Sequence, residues 1–213
     1  MALRMPSHPV TQRLLRDFGG GLAAPSANLF GRVSPTTAHD VSVALGPALD
    51  LVVDGGPCEV GIESTIVAFD NEEVVILRPG GVSPDAMADV LGRRTRTPGR
   101  AAVRAPGTLA SHYAPATTLD LCPSEEVGPR AAALIAAGRR VGVLSLARIE
   151  VAGAAVNWDA GGEMTLFARS LYRRLREADD EGLDVLVVVL PPDVGLGIAI
   201  RDRLRRAAHR PTP

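Results

Sequence analysis

The stretch that decides the fold reads Leu22-Ala23-Ala24-Pro25-Ser26-Ala27-Asn28-Leu29-Phe30-Gly31, continuing as Arg32-Val33-Ser34-Pro35-Thr36-Thr37-Ala38. A short apolar run enters a turn at Pro25, and small hydroxyl and amide side chains follow at once. Ser26, Asn28 and Ser34 can donate or accept hydrogen bonds, while Ala24, Ala27 and Gly31 leave the backbone open to close approach. Ser34-Pro35-Thr36 predicts a helix start, with Ser34 as N-cap and Pro35 at the first helical position. Free backbone N–H groups there, beside three polar side chains, suit an anion such as a phosphate. An ordinary turn and N-cap would show the same spacing, so the flanking sequence must decide.

Toward the N-terminus, Ala2-Leu3-Arg4-Met5 predicts a strand that starts abruptly, with no turn or cap before it. Pro6-Ser7-His8-Pro9 turns the chain, and Val10–Phe18 has helical spacing that ends at Gly19-Gly20-Gly21. Leu22-Ala23-Ala24 itself predicts a short buried strand. Beyond the turn, a helix from about Pro35 to Leu45 is stopped by Gly46-Pro47. Leu51-Val52-Val53 predicts another buried strand, running into Asp54-Gly55-Gly56. Ser64–Phe69 and Val74–Arg78 flank Asn71-Glu72-Glu73 as a hairpin, and Ser83-Pro84-Asp85 caps a helix through Leu91.

Three regions follow from this pattern. Residues 1–92 form the first domain and 93–116 an Arg/Pro/Gly-rich linker arm without periodicity. Residues 117–213 alternate strand and helix. Strands are predicted at Thr118–Cys122, Val141–Leu146, around Val151–Trp158 and at the nearly all-apolar Leu183–Leu190. Helices are predicted at Ser124–Ala137, Glu163–Ala178 and Ile198–His209. That alternation implies a small Rossmann-like, doubly wound domain.

Composition narrows the function classes. The 213 residues are 46% hydrophobic and 22% charged, with a net charge of −1, so the total calls for no nucleic acid. Its distribution says more: residues 1–92 carry five Arg against eleven acidic residues, and 93–116 carry five Arg and no acid. All 23 basic residues are arginine, which excludes a Walker or Schiff-base lysine within these residues. Cys58 and Cys122 have no metal-ligand spacing and read as free thiols of a cytoplasmic protein. No apolar run is long enough to cross a bilayer, and no Ser-His-Asp set or zinc cluster is present.

Taken in order, Leu3–Pro9, Ala24–Asn28, Asp54-Gly55-Gly56, Gly61–Val67, Leu77–Gly81, Ser111–Pro115 and Gly195-Leu196-Gly197 with Asp202–Ala208 resemble the threonylcarbamoyl-AMP synthases in their two-domain, YrdC-like form. The resemblance implies an α/β fold: an incomplete YrdC-like twisted-sheet domain followed by the Rossmann-like one. Met1 falls inside a strand of that family's first domain. The Lys/Arg pair that grips the triphosphate would precede it, so the resemblance implies impaired or absent turnover by the chain as written.

The family's reaction joins ATP, bicarbonate and L-threonine into threonylcarbamoyl-adenylate, with release of pyrophosphate. The product passes to a tRNA-modifying transferase complex for threonylcarbamoyl modification of an adenosine. Such chemistry needs orientation and charge neutralisation more than a nucleophilic side chain, and no catalytic residue is assigned. By resemblance, Ser26, Asn28, Ser34, Arg78 and Tyr113 bind ATP, and Arg4, Ala24 and Ser64 bind threonine. Mg²⁺ is implied on the phosphates, with Asp54 and Glu63 as the carboxylates that could help hold it. Bland roles compete. Arg4 could make a surface ion pair, Ser64 could be a hydroxyl on a strand ladder, Arg78 could pair with Glu63 or Glu73, and Tyr113 could be an interface aromatic. Gly195-x-Gly197 lacks the third glycine of a dinucleotide fingerprint and reads as a tight turn. The alternatives are a non-catalytic nucleotide- or RNA-binding remnant that uses the basic arm for weak RNA binding, and a carbamoyltransferase using a YrdC-like domain.

Overall fold

A computed structural model of the chain describes residues 2–71, 73–96 and 113–209. In the first module, helix α1 (Pro9–Phe18) closes on Gly19, whose left-handed backbone places its N–H on the Leu15 carbonyl. Helix α2 (Ala38–Leu45) begins later than Ser34-Pro35 predicts. Its N-cap is Thr37, whose hydroxyl accepts from Asp40 N at 3.1 Å. The Asp40 carboxylate in turn accepts from Thr36 N at 2.8 Å and Thr37 N at 3.0 Å. This capping box uses the amides that were expected to face an anion.

Strands β1 (Ile66–Asp70) and β2 (Glu73–Arg78) pair antiparallel, with Asp70 opposite Glu73, as the hairpin pattern predicts. Helix α3 (Pro84–Leu91) follows with Ser83 as its cap. The other expected strands of this module do not form. Ala2–Met5, Leu22–Ala24 and Leu51–Val53 enter no ladder among the described residues, and Leu3 and Met5 are 86% and 94% exposed. Apolar sequence supplies only a propensity; a strand needs a neighbour to take its backbone hydrogen bonds. Of the expected arm, residues 97–112 lie outside the described residues. Its start at Arg96 is docked: Arg96 N donates to Val74 O, its carbonyl accepts from Ile76 N, and its side chain pairs with Asp70 and Glu73.

The second module is the predicted α/β unit. Strands β3 (Thr118–Cys122), β4 (Val141–Ser145), β5 (Val156–Asp159) and β6 (Val185–Val189) form one parallel sheet in the order β3-β6-β4-β5. Strand β5 is shorter than the Val151–Trp158 expectation, and Val151–Ala155 is a turn leading into it. Alternation along the strands splits the core. Val141, Val143, Val185 and Val187 face helix α4 (Val127–Ala136) through Val127 and Ala131. Leu144, Leu186 and Val188 face helices α5 (Met164–Asp180) and α6 (Leu196–Ala208) through Phe167, Leu171, Leu175, Ile200 and Leu204. Ile62 and Tyr113 join this second cluster, so the first module is anchored in the core of the second. No helix among the described residues is long and apolar enough to cross a membrane.

Candidate functional site

The site grows from Glu63, in the loop that leads to β1. Gly61 brings that loop against α5. Its φ is +80°, and a Cβ there would lie 2.4 Å from Arg169 Cα, so no larger residue fits. Two residues on, the Glu63 carboxylate accepts from Arg203 Nε at 2.7 Å and from the Tyr172 hydroxyl at 2.8 Å, both on one oxygen. Its other oxygen accepts from the Ser34 hydroxyl at 2.8 Å. Arg203 also donates to Pro79 O at 2.9 Å and to Asp202, and its guanidinium lies 5.3 Å from the centre of the Tyr113 ring. Tyr113, 1% exposed, stacks on Tyr172 with ring centroids 5.5 Å apart.

The charges reinforce one another. Burial pushes the Glu63 carboxyl up, but the Arg203 guanidinium and three hydrogen bonds outweigh it, and the group sits below the usual carboxylate range. Burial and the adjacent Glu63 charge both raise the Tyr172 phenol, which keeps its proton and remains a donor. For Arg203 burial acts downward, yet the charge and hydrogen bond of the Glu63 carboxylate more than compensate, and the guanidinium stays charged. Arg78 is buried too. Desolvation and the neighbouring Arg203 cation lower its affinity for the proton, and it donates to Ser64 O at 2.7 Å.

Three of the ATP residues named from sequence, Ser34, Arg78 and Tyr113, therefore meet in one buried cluster. Ser64 joins it through its carbonyl. Ser26 and Asn28 lie on the neighbouring turn, which Asn28 closes by donating to Leu29 O and Arg32 O. That turn is tied to the residue after Tyr113, since Ala114 N donates to Gly31 O at 2.9 Å. Arg4, Ala24 and Ser26 are exposed. Of the two carboxylates considered for Mg²⁺, Glu63 is already engaged on both oxygens, while the exposed Asp54 is engaged on one. Glu63 faces a guanidinium and two hydroxyl donors, and Asp54 accepts from Gly56 N at 2.8 Å. Arg78 pairs with neither Glu63 nor Glu73 in the geometry: Glu63 goes to Arg203, and Glu73 to Arg96.

The residues that sequence reasoning missed all come from the second module: Tyr172, Arg203 and Arg176. The last donates to Ser34 O at 2.7 Å and to Thr36 Oγ1 at 2.6 Å, and pairs with Asp40 at 2.7 Å. A signal was available on α6, where Arg203 lies on the stripe of Ile200, Leu204 and Ala207. An arginine on an apolar helix stripe demands a buried counter-charge. Gly197 of Gly195-x-Gly197 has a packing reason: a Cβ there would lie 2.0 Å from Pro192 O.

Residues 74–209 match the family model described as "Threonylcarbamoyl-AMP synthase, C-terminal domain", and residues 1–80 match one described as "Telomere recombination". The chain is similar to the threonylcarbamoyl-AMP synthase of Bacillus subtilis, 35% identical over 217 residues that span 98% of this chain and 63% of that one. It is 32% identical to the Pyrococcus abyssi synthase over 219 residues, 98% of this chain and 64% of the relative. The crystal structure of P. abyssi Sua5 complexed with L-threonine superimposes with a TM-score of 0.85 at 30% identity, covering 96% of this chain and 63% of that one. The chain thus spans a little under two thirds of the length of these relatives.

Proposed function

The chain belongs to the threonylcarbamoyl-AMP synthase family, and from that premise we propose that it serves the synthesis of threonylcarbamoyl-adenylate from ATP, L-threonine and bicarbonate. The observation that carries this reading is the buried junction of Ser34, Arg78 and Tyr113, organised around Glu63 and Arg203. Such a junction offers fixed charge and fixed dipoles and no nucleophile. Attack of a threonine carbamate oxygen on the α-phosphorus of ATP calls for that combination, because its barrier falls through orientation and charge stabilisation.

In this reading Ser26, Asn28, Ser34, Arg78 and Tyr113 face ATP, while Arg4, Ala24 and Ser64 face threonine. Arg78 links the two groups, because the carbonyl it holds belongs to Ser64. Arg4 is solvent-facing without ligand, and its planar fork suits a carboxylate that covers it. Mg²⁺ would travel with the phosphates as part of the substrate, and no step is assigned to it. The adenylate then passes to a tRNA-modifying transferase in the cytoplasm.

Saturable binding of ATP and of threonine is the expected outcome, and any release of pyrophosphate, however much impaired in this chain, should require both substrates and bicarbonate. Release of pyrophosphate without threonine, or no saturable binding of either substrate, would contradict the reading.

A further inference from the structure

Ser34 is held from two sides by the second module. Its carbonyl accepts from Arg176 on α5 at 2.7 Å. Its hydroxyl donates to Glu63, which Arg203 on α6 and Tyr172 on α5 fix in place. The carboxylate has no proton to give, so the shared hydrogen belongs to Ser34. The oxygen is left with lone pairs alone to offer a ligand. A phosphate oxygen also has only lone pairs, so the two would repel.

We propose that the second module presets Ser34 as an acceptor, through Arg176 and through Arg203 acting by way of Glu63, so that Ser34 meets a donor on the nucleoside, a ribose hydroxyl or the adenine amine, and not a phosphate. The proposal rests on the reading that Ser34 faces ATP. Arg176 and Arg203 are positioning residues in it, since each acts on the nucleotide only through another group. The ionised state of Glu63 agrees with this polarity, because its surroundings hold the carboxyl below the usual range.

Binding of ATP, 2′-deoxyATP, 3′-deoxyATP, the triphosphate of purine riboside (which lacks the amine) and inorganic tripolyphosphate is measured on four proteins. They are the wild type, Ser34→Ala, Arg176→Met and Arg176→Lys. Hydrogen exchange of the Cys58 amide, which donates to Thr36 O at 2.8 Å, reports the position of the loop without any ligand. Arg176→Met is expected to speed that exchange and to weaken ATP about tenfold, the range of one charge-assisted hydrogen bond. Arg176→Lys, which can keep the ion pair with Asp40 but not the fork, falls between it and the wild type. One of the three nucleotide analogues should bind the wild type more weakly than ATP and lose nothing further in Ser34→Ala, while tripolyphosphate binds all four proteins equally. Equal losses for tripolyphosphate and ATP in Ser34→Ala would overturn the acceptor assignment. Unchanged ATP affinity and unchanged exchange in Arg176→Met would overturn the presetting alone. A wild type that binds no ATP, with loop exchange still faster in Arg176→Met, would overturn the nucleotide reading on which the proposal rests.

Discussion

Arg203 Nε donates to Glu63 Oε2 at 2.7 Å across 140 positions of sequence, and the guanidinium is wholly buried between the two modules. This one contact joins a helix of the second module to the loop that carries the candidate site. Its weight lies in what breaking it leaves behind, since a buried charge without its partner costs more than the pair contributes.

Arg203→Met is therefore expected to destabilise the chain by about 3–5 kcal/mol, because Glu63 would be left charged in a buried setting. Glu63→Gln should cost less, since the amide oxygen can still accept from Tyr172 or Arg203. Urea unfolding of the two variants measures this, and a loss below about 1 kcal/mol for Arg203→Met, the range of an exposed pair, would show that the contact is not a buried one.

The acid branch of stability follows from Glu63 and Asp40. Both carboxyls are held below their ordinary values of 4.5 and 3.8, despite burial that acts the other way. For Glu63 the offset comes mainly from Arg203, and for Asp40 from the Thr36 amide and Arg176. A group with a depressed folded pKa contributes stability that is complete above its unfolded value and is lost as pH falls through the folded one. The urea midpoint should therefore stay flat from neutral pH to about 5 and drop as pH falls below the unfolded values. In Glu63→Gln the drop should be shallower; an identical acid branch in variant and wild type would contradict the assignment.

Gly61→Ala combines a left-handed backbone with a Cβ placed 2.4 Å from Arg169 Cα. Strain of this kind costs about 1–3 kcal/mol, and the backbone contact adds to it. The variant should melt well below the wild type and show faster hydrogen exchange at Ile62 and Glu63. A melting temperature equal to the wild type would mean that the loop does not dock on α5 as described.

Arg4→Ala should leave stability unchanged, because the side chain is exposed. If its fork receives the threonine carboxylate, threonine affinity should fall about tenfold while ATP affinity holds, since charge-assisted bonds of this kind lie in that range. Equal losses for both substrates would remove Arg4 from the threonine site.

Much of this was legible from sequence, and the rest failed for identifiable reasons. The second module could be read because its strands are apolar on both faces and its helices carry long apolar stripes, as in Val185–Val189 and α5. The hairpin of β1 and β2 was legible from its turn residues. The strands expected at Ala2–Met5, Leu22–Ala24 and Leu51–Val53 failed because apolar pattern does not supply a pairing partner. Ser34 was misread as an N-cap because Ser-Pro fits that position, yet Thr37 and Asp40 form the reciprocal box three residues later. Of the site, Ser34, Arg78 and Tyr113 were named from resemblance and lie together. Arg176 and Tyr172 were illegible because their partners lie more than 100 residues away and no local spacing announces them.

The central claim is that the nucleotide binds at the junction between the modules and not at the carboxyl edge of the parallel sheet, where open α/β sheets commonly bind ligands. Hydrogen exchange of the chain with and without ATP tests it directly. The account predicts slowed exchange in segments 31–36, 63–65 and 77–80, with segments 146–148 and 193–197 unchanged. Protection confined to those last two segments would contradict it.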